Sequence, residues 1–167
     1  MSLPDTSYLR HPSPLGELTL AATERGLCGL YFAQHRYFGG TDGWQHDPDH
    51  LHLRMAARQL DEYFAGLRAV FDVPLDLTGT VFQLDVWRTL DQIGYGTTSS
   101  YALQARRVGR PTAVRATATA IGRNPVSIVV PCHRVLGQDG ALSGYAGGLE
   151  RKQFLLDLES RRSGSLR

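Results

Sequence analysis

One run of sequence constrains this chain more than any other: Asn124-Pro125-Val126-Ser127-Ile128-Val129-Val130-Pro131-Cys132-His133-Arg134-Val135. Asn-Pro stops whatever helix comes before it. The apolar run Val126 to Val130 reads as a short strand, and Pro131 ends it. Cys-His-Arg then stands where the chain must turn. A thiolate is the strongest nucleophile a protein commands near neutral pH, and a cation or imidazole beside it lowers its pKa. The string therefore predicts a reactive sulfur at Cys132. A buried packing cysteine behind a plain Asn-Pro stop is the bland alternative.

The pattern changes character near the middle of the chain. Leu15 to Ala22 and Leu27 to Phe32 are strand-like, joined through the turn residues Thr23-Glu24-Arg25-Gly26. His35 to Asp49 is a polar, Gly-rich loop. Ala56, Leu60, Tyr63, Phe64 and Leu67 recur at helical spacing, which predicts an amphipathic helix over Leu51 to Leu67. Val73, Leu75 and Leu77 alternate with polar residues and with Pro74, the signature of an edge strand. Thr78-Gly79-Thr80 is the boundary. Thr80 with Gln83 predicts a capping box, and Phe82, Val86, Leu90 and Ile93 form the stripe of the helix that follows. The expected fold class is mixed α/β (α+β): residues 1–78 a small α/β domain, residues 79–160 a mainly helical domain, and residues 161–167 a frayed tail.

Composition bounds the function. With 42% apolar and 20% charged residues over 167 positions, the chain can build one full core or two small domains sharing an interface. No apolar run reaches the length of a membrane span, and Met1-Ser2-Leu3-Pro4-Asp5 carries no secretory pattern. A disulfide between Cys28 and Cys132 is allowed on paper. The lack of any secretion signal favours a reducing, cytoplasmic setting with both thiols free. Cys28, among Leu27, Leu30 and Phe32, reads as packing. His46, Asp47, Asp49, His50 and His52 form a loose cluster whose spacing fits no defined metal site, so no metal is expected.

Charge is distributed unevenly. Residues 1–80 carry 6 basic and 10 acidic side chains, whereas residues 81–167 carry 12 and 6. No acid lies between Asp91 and Asp139, yet Arg106, Arg107, Arg110, Arg115, Arg123 and Arg134 all do. A genome favouring Arg codons explains why Lys152 is the sole lysine. It does not explain the missing acids, which point to a polyanion-binding face.

That stretch also reads as a helix-turn-helix. Tyr101 to Val108 is helical, Gly109-Arg110-Pro111 breaks it, and Thr112 to Gly122 restarts it. The second helix is built of small residues. Val114, Ala118 and Ile121 are expected to face the core, leaving Arg115 and Thr119 outside. A slim helix with one long cation fits a groove of DNA; an Ala-rich core helix would look similar.

Together the Asn-Pro-x7-His-Arg string, the helix pair and Lys152-Gln153-Phe154-Leu155-Leu156 resemble the O6-alkylguanine-DNA alkyltransferase family, strongly over about residues 80–160. The resemblance implies an RNase H-like first domain and stoichiometric DNA repair. An alkyl group on O6 of guanine, or O4 of thymine, passes from duplex DNA to Cys132. The protein acts once, without cofactor and without an obligatory protein partner; cooperative self-association on DNA is left open.

The resemblance also implies roles for single residues. His133 takes the Cys132 proton through a water, since consecutive residues of extended chain face opposite ways. Glu159, which by pattern alone would be a solvated helix-end carboxylate, orients His133. Asn124 fixes the Cys132 turn. Arg115 enters the minor groove and replaces the flipped nucleotide, while Tyr101 helps rotate it and protonates guanine near N3. Arg110, Thr119 and Arg123 lie along the same face. The loop Gly137 to Gly148, with Tyr145 and Gly147, walls the base pocket. The Val135 carbonyl accepts from the guanine amino group, and the Ala146 backbone N–H donates to O6. Two departures from the family stand out: Ala118 and Thr119 where a glycine is frequent, and Ala146 where many members have serine.

Two rival classes fit parts of the sequence. A non-catalytic lesion binder would replace the nucleophile, and Cys132 argues against it. A Cys-His-Glu thiol hydrolase would explain those three residues but not the acid-free arginine stretch.

Overall fold

A computed structural model describes residues 5–162. The first half is a mixed sheet backed by one helix, antiparallel from β1 to β3 with β4 added in parallel. Strands β1 (Ser7–His11), β2 (Leu18–Thr23), β3 (Gly26–Phe32) and the two-residue β4 (Gln45–His46) lie in the order β3-β2-β1-β4. Strand β2 is buried along its whole length because sheet neighbours and helix enclose it. Helix α1 (Leu51–Phe64) lays Leu53, Ala56, Leu60 and Tyr63 on the sheet. It stops one turn short of the predicted end. The N–H groups of Gly66 and Leu67 turn back onto the carbonyls of Tyr63 and Glu62, leaving Leu67 exposed.

The alternating segment Val73 to Leu77 makes a single parallel bridge, Leu75 to Leu27, at the outer edge of β3. Pro74 and Asp76 clamp Leu27 from both sides: Leu27 N–H donates to the Pro74 carbonyl, and Asp76 N–H donates to the Leu27 carbonyl. Gly26 makes this approach possible, because a Cβ there would sit 2.5 Å from the Pro74 oxygen.

The second half is helical. Helix α2 (Val81–Leu90) begins with both hydrogen bonds of the expected capping box. Strand β5 (Ser99–Ser100) leads directly into α3 (Tyr101–Arg107), and α4 (Val114–Gly122) follows the Gly-Arg-Pro break. The three helices pack on one another. Two buried polar ties fix them: Gln104 joins Thr89 and Ser99, and the Trp87 indole donates to the Ala120 carbonyl. Helix α4 is rotated from the expected orientation. Thr117, Ala120 and Ile121 face inward, and Val114 is 37% exposed.

Val126 to Val130 is not a strand. Only Val126 pairs, with Leu30 on the free edge of β3, and the next residues coil into turns with Ile128 at φ +71°. An apolar run of this length fits a buried turn as readily as a strand, because periodicity cannot separate them. Cys132–Arg134 form one 3-10 turn, and β6 (Val135–Leu136) pairs in parallel with β5. Helix α5 (Leu149–Arg162) continues through Arg161 and Arg162, which were expected in the tail; residues 163–167 lie outside the described residues. One continuous core spans both halves. No helix among the described residues is long and apolar enough to cross a membrane.

Gly26→Ala should lower stability by about 1–3 kcal/mol, because the new methyl must displace the backbone at Pro74. Urea denaturation of the variant beside the wild type checks this; equal midpoints would contradict the tight approach.

Candidate active site

The Cys132 turn is held from four sides. Leu30 of β3 grips its entrance, with Leu30 N–H donating to the Pro125 carbonyl. Asn124, at the end of α4, donates through Nδ2 to the Val130 carbonyl at 2.9 Å and to Cys132 Sγ at 3.1 Å, while its Oδ1 accepts from Val126 N–H. Beyond the turn, β6 pairs with β5, and α5 packs against the 3-10 segment. Asn124 thus ties the second helix of the helix-turn-helix to the sulfur.

Burial, rather than the neighbouring cation, dominates the sulfur. Cys132 is 7% exposed, and desolvation pushes its thiol up to about 11. The Asn124 hydrogen bond and the Lys152 ammonium oppose this only in part. Adjacency in sequence suggested a lowered pKa. That expectation fails because Arg134 turns away from the sulfur and His133 is neutral. In this state Cys132 is a thiol, and its proton must be taken.

A buried carboxylate anchors the same turn. His133 Nε2 lies 2.7 Å from Glu159 Oε2, with both side chains essentially inaccessible. Arg134 binds the same carboxylate with two nitrogens, Nε to Oε1 at 2.8 Å and Nη2 to Oε2 at 3.0 Å, and its Nη1 donates to the Ile93 carbonyl. Tyr63 of α1 donates to Oε2 at 2.6 Å. Burial alone would raise the Glu159 pKa; the hydrogen bonds and charges of His133 and Arg134 bring it down to about 2. Burial lowers the His133 pKa, against the pull of Glu159. An ionised carboxylate only accepts, so Nε2 carries the ring proton. The lone pair is therefore on Nδ1, which is buried and has no partner among the described residues. Successive side chains of a 3-10 turn splay by about 120°. Cys132 and His133 are not hydrogen-bonded for that reason, rather than through an extended backbone.

Arg134 belongs to this ion pair and not to the basic surface. Arg106, Arg107, Arg110, Arg115 and Arg123 are exposed. Arg115, Thr119 and Arg123 share one face of α4 and line a groove of about 630 Å³ beside Thr80, Phe82 and Gln83. Arg123 also stacks on Tyr37, 4.5 Å from its ring centre.

The Gly-rich loop closes over the site. Tyr101, the first residue of α3, donates to the Ser143 carbonyl at 3.2 Å, and burial raises its pKa. Tyr145 packs on Phe32, with its phenol pKa well above the ordinary value through burial and the nearby Cys132. Gly147 is required by Phe32, whose ring would lie 2.4 Å from an added Cβ, so this glycine serves loop packing. The Ala146 carbonyl accepts from Arg36 N–H. The Val135 carbonyl already accepts from Lys152 Nζ at 2.6 Å, leaving one lone pair. Lys152 donates to the Ser143 carbonyl as well, and burial lowers its pKa to about 8. His46 packs on Tyr8, whereas the His50 and His52 ring centres lie 5.6 Å apart and His52 Nε2 sits 3.0 Å from the Glu24 carbonyl oxygen.

Sequence reasoning missed three residues: Lys152, Tyr63 and the inward role of Arg134. A sole lysine amid seventeen arginines was the one available hint.

Because Glu159 is depressed from 4.5 to about 2, its contribution to stability is complete above about pH 4.5 and disappears as the pH falls towards 2. Glu159→Gln should flatten the loss of stability over that window and lower stability at neutral pH, where Arg134 would be left buried without a counter-charge. Denaturation midpoints against pH test both effects; parallel curves would refute them.

Known proteins resemble this chain over nearly its whole length. Residues 81–161 match the DNA-binding domain of 6-O-methylguanine DNA methyltransferase, and residues 6–77 match its ribonuclease-like domain. A methylated-DNA–protein-cysteine methyltransferase of Mycolicibacterium paratuberculosis is 48% identical over 93% of each chain, and one from Methanosarcina acetivorans is 44% identical over 91% of this chain and 97% of its own. The crystal structure of the Mycobacterium tuberculosis O6-methylguanine methyltransferase superimposes with a TM-score of 0.87 at 45% identity, covering 94% of each chain. The same organism's protein in complex with DNA gives 0.86 at 44% identity, covering 95% of this chain and 94% of that one. The chain belongs to the 6-O-methylguanine DNA methyltransferase family.

Proposed function

We infer that this chain performs its family's reaction, DNA repair by transfer of an alkyl group to a protein cysteine, and that Cys132 is the acceptor. The observation that carries the assignment is the buried chain Asn124–Cys132 and His133–Glu159 at the foot of a helix-turn-helix with an arginine-rich, acid-free face. Residues 1–78 act as the supporting domain and residues 79–160 as the DNA-binding and catalytic one.

The steps follow from the protonation states. Glu159 holds the Nε2–H of His133, so Nδ1 is free to take the Cys132 proton through an intervening solvent molecule. Asn124 Nδ2 donates to the sulfur and stabilises the thiolate as it forms. An extruded guanine brings its O6-alkyl carbon in line with Sγ; a stacked base could not be reached. The S–C bond forms as the C–O bond breaks. Guanine leaves as its N1/O6 anion and takes a proton from Tyr101, which regains one from the relay. The thioether product has no good leaving group, so each molecule reacts once. O4 of thymine presents the same alkyl-oxygen geometry.

Duplex DNA is the partner. Arg115 takes the place of the extruded nucleotide, and Arg110, Thr119 and Arg123 meet the flanking backbone. Tyr145, Gly147, the Ala146 N–H and the remaining lone pair of the Val135 carbonyl wall the base pocket. Ala146 keeps a main-chain donor where relatives add a hydroxyl. Cooperative assembly of several copies along one duplex is compatible with this mode of binding.

Incubation with O6-benzylguanine followed by intact-mass and peptide analysis should show one benzyl group on Cys132 and no turnover past one equivalent. Repeated turnover would point to a thiol hydrolase instead. Arg115→Ala should slow repair in duplex DNA by about tenfold or more while leaving reaction with the free base unchanged, since it removes extrusion and not displacement. Equal losses on both substrates would exclude that role. Duplex affinity should fall steeply with salt, as phosphate contacts require.

A further inference from the structure

Glu159 Oε2 is shared by three donors: His133 Nε2 at 2.7 Å, Arg134 Nη2 at 3.0 Å and the Tyr63 hydroxyl at 2.6 Å. Two come from the turn that carries Cys132. The third comes from the other end of the molecule in sequence, on helix α1 of the first half. Tyr63 is fully buried, and its ring is wedged among Phe64, Phe71 and Tyr95. Its phenol has one acceptor and donates to it.

We propose that Tyr63 is a positioning residue of the transfer reaction, its hydroxyl drawing charge from the Glu159 oxygen that faces His133 and so keeping that imidazole in the neutral form that accepts the cysteine proton. The proposal rests on the reading of His133 as the proton acceptor for Cys132. A carboxylate oxygen that already serves a phenol and a guanidinium stabilises an imidazolium less than a free one would. His133 must be a neutral ring before the reaction, and a protonated ring would have no lone pair to offer. Without these competing donors, the imidazole–carboxylate pair would hold a proton on the ring to higher pH.

The groups that face this pair come from several elements. Arg134 and Lys152 disfavour a positive charge on the ring, and Glu159 favours it. The Tyr63, Tyr95 and Tyr145 phenols all sense the Glu159 charge, and only Tyr63 hydrogen-bonds to it. Burial and the adjacent carboxylate raise the Tyr63 pKa well above the ordinary value, so the hydroxyl remains a donor throughout the working range.

The test is the pH dependence of the benzyl-transfer rate constant between about pH 5 and pH 8, together with titration of the His133 ring by NMR. Wild-type protein must first acquire its single adduct on Cys132. Tyr63→Phe keeps the ring in the core and removes only the hydroxyl. The acid limb of the profile and the ring titration should both move up by about one pH unit. A second replacement, 3,5-difluorotyrosine at position 63, retains the hydroxyl as a stronger donor and should move both in the opposite direction, which keeps the proposal testable should the phenylalanine variant not fold. A limb that stays in place, or a uniform loss at all pH values, would reduce Tyr63 to a packing residue and overturn the proposal. Failure of wild-type protein to label Cys132 would instead overturn the reading of the site on which it rests.

Discussion

The buried Glu159 carboxylate is the contact on which the site depends. It is a charge placed where water cannot reach, and such a charge is tolerated only when its hydrogen-bond capacity is filled. Arg134 supplies the counter-charge in a two-point contact, and His133 and Tyr63 add neutral donors. With the carboxylate fixed, the imidazole has one tautomer and one orientation. With the imidazole fixed, Nδ1 is left as its unpartnered nitrogen. The arrangement resembles the third member of a nucleophilic triad, with the addition that the carboxylate is shared.

The sulfur itself is prepared differently from an exposed reactive cysteine. Burial makes Cys132 a poor acid, and the amide of Asn124 and the ammonium of Lys152 restore only part of the loss. A resting thiol suits a protein that reacts once. It resists adventitious oxidation and alkylation, which follow thiolate character and exposure.

Much of this was legible in the sequence, and the limits have physical causes. The Thr80 and Gln83 cap was readable because it depends on residues three apart. The helix-turn-helix and the edge position of Leu75 followed from local breaks at Gly109 to Pro111 and at Pro74. The orientation of α4 was not, since Val114 and Ala120 differ little in pattern, and packing by Trp87 decides which is buried. Val126 to Val130 misled because a turn enclosed on all sides is as apolar as a strand. Strand β1 gave little signal, being short and partly exposed. Tyr63 looked like an ordinary core residue, and its hydroxyl acquires meaning only from a carboxylate 96 positions away. Arg134 looked like part of a basic surface until its partner was located.

The pairing of Ser99–Ser100 with Val135–Leu136 has a mechanical consequence. Strand β5 runs straight into Tyr101 and the first helix of the pair, and β6 emerges straight from the Cys132 turn. The part that would seat on the duplex and the part that bears the sulfur are thus joined by a short, stiff weld. Depth of docking and reach of the nucleophile become one quantity, and the protein works as a caliper whose jaws are set at a single gap.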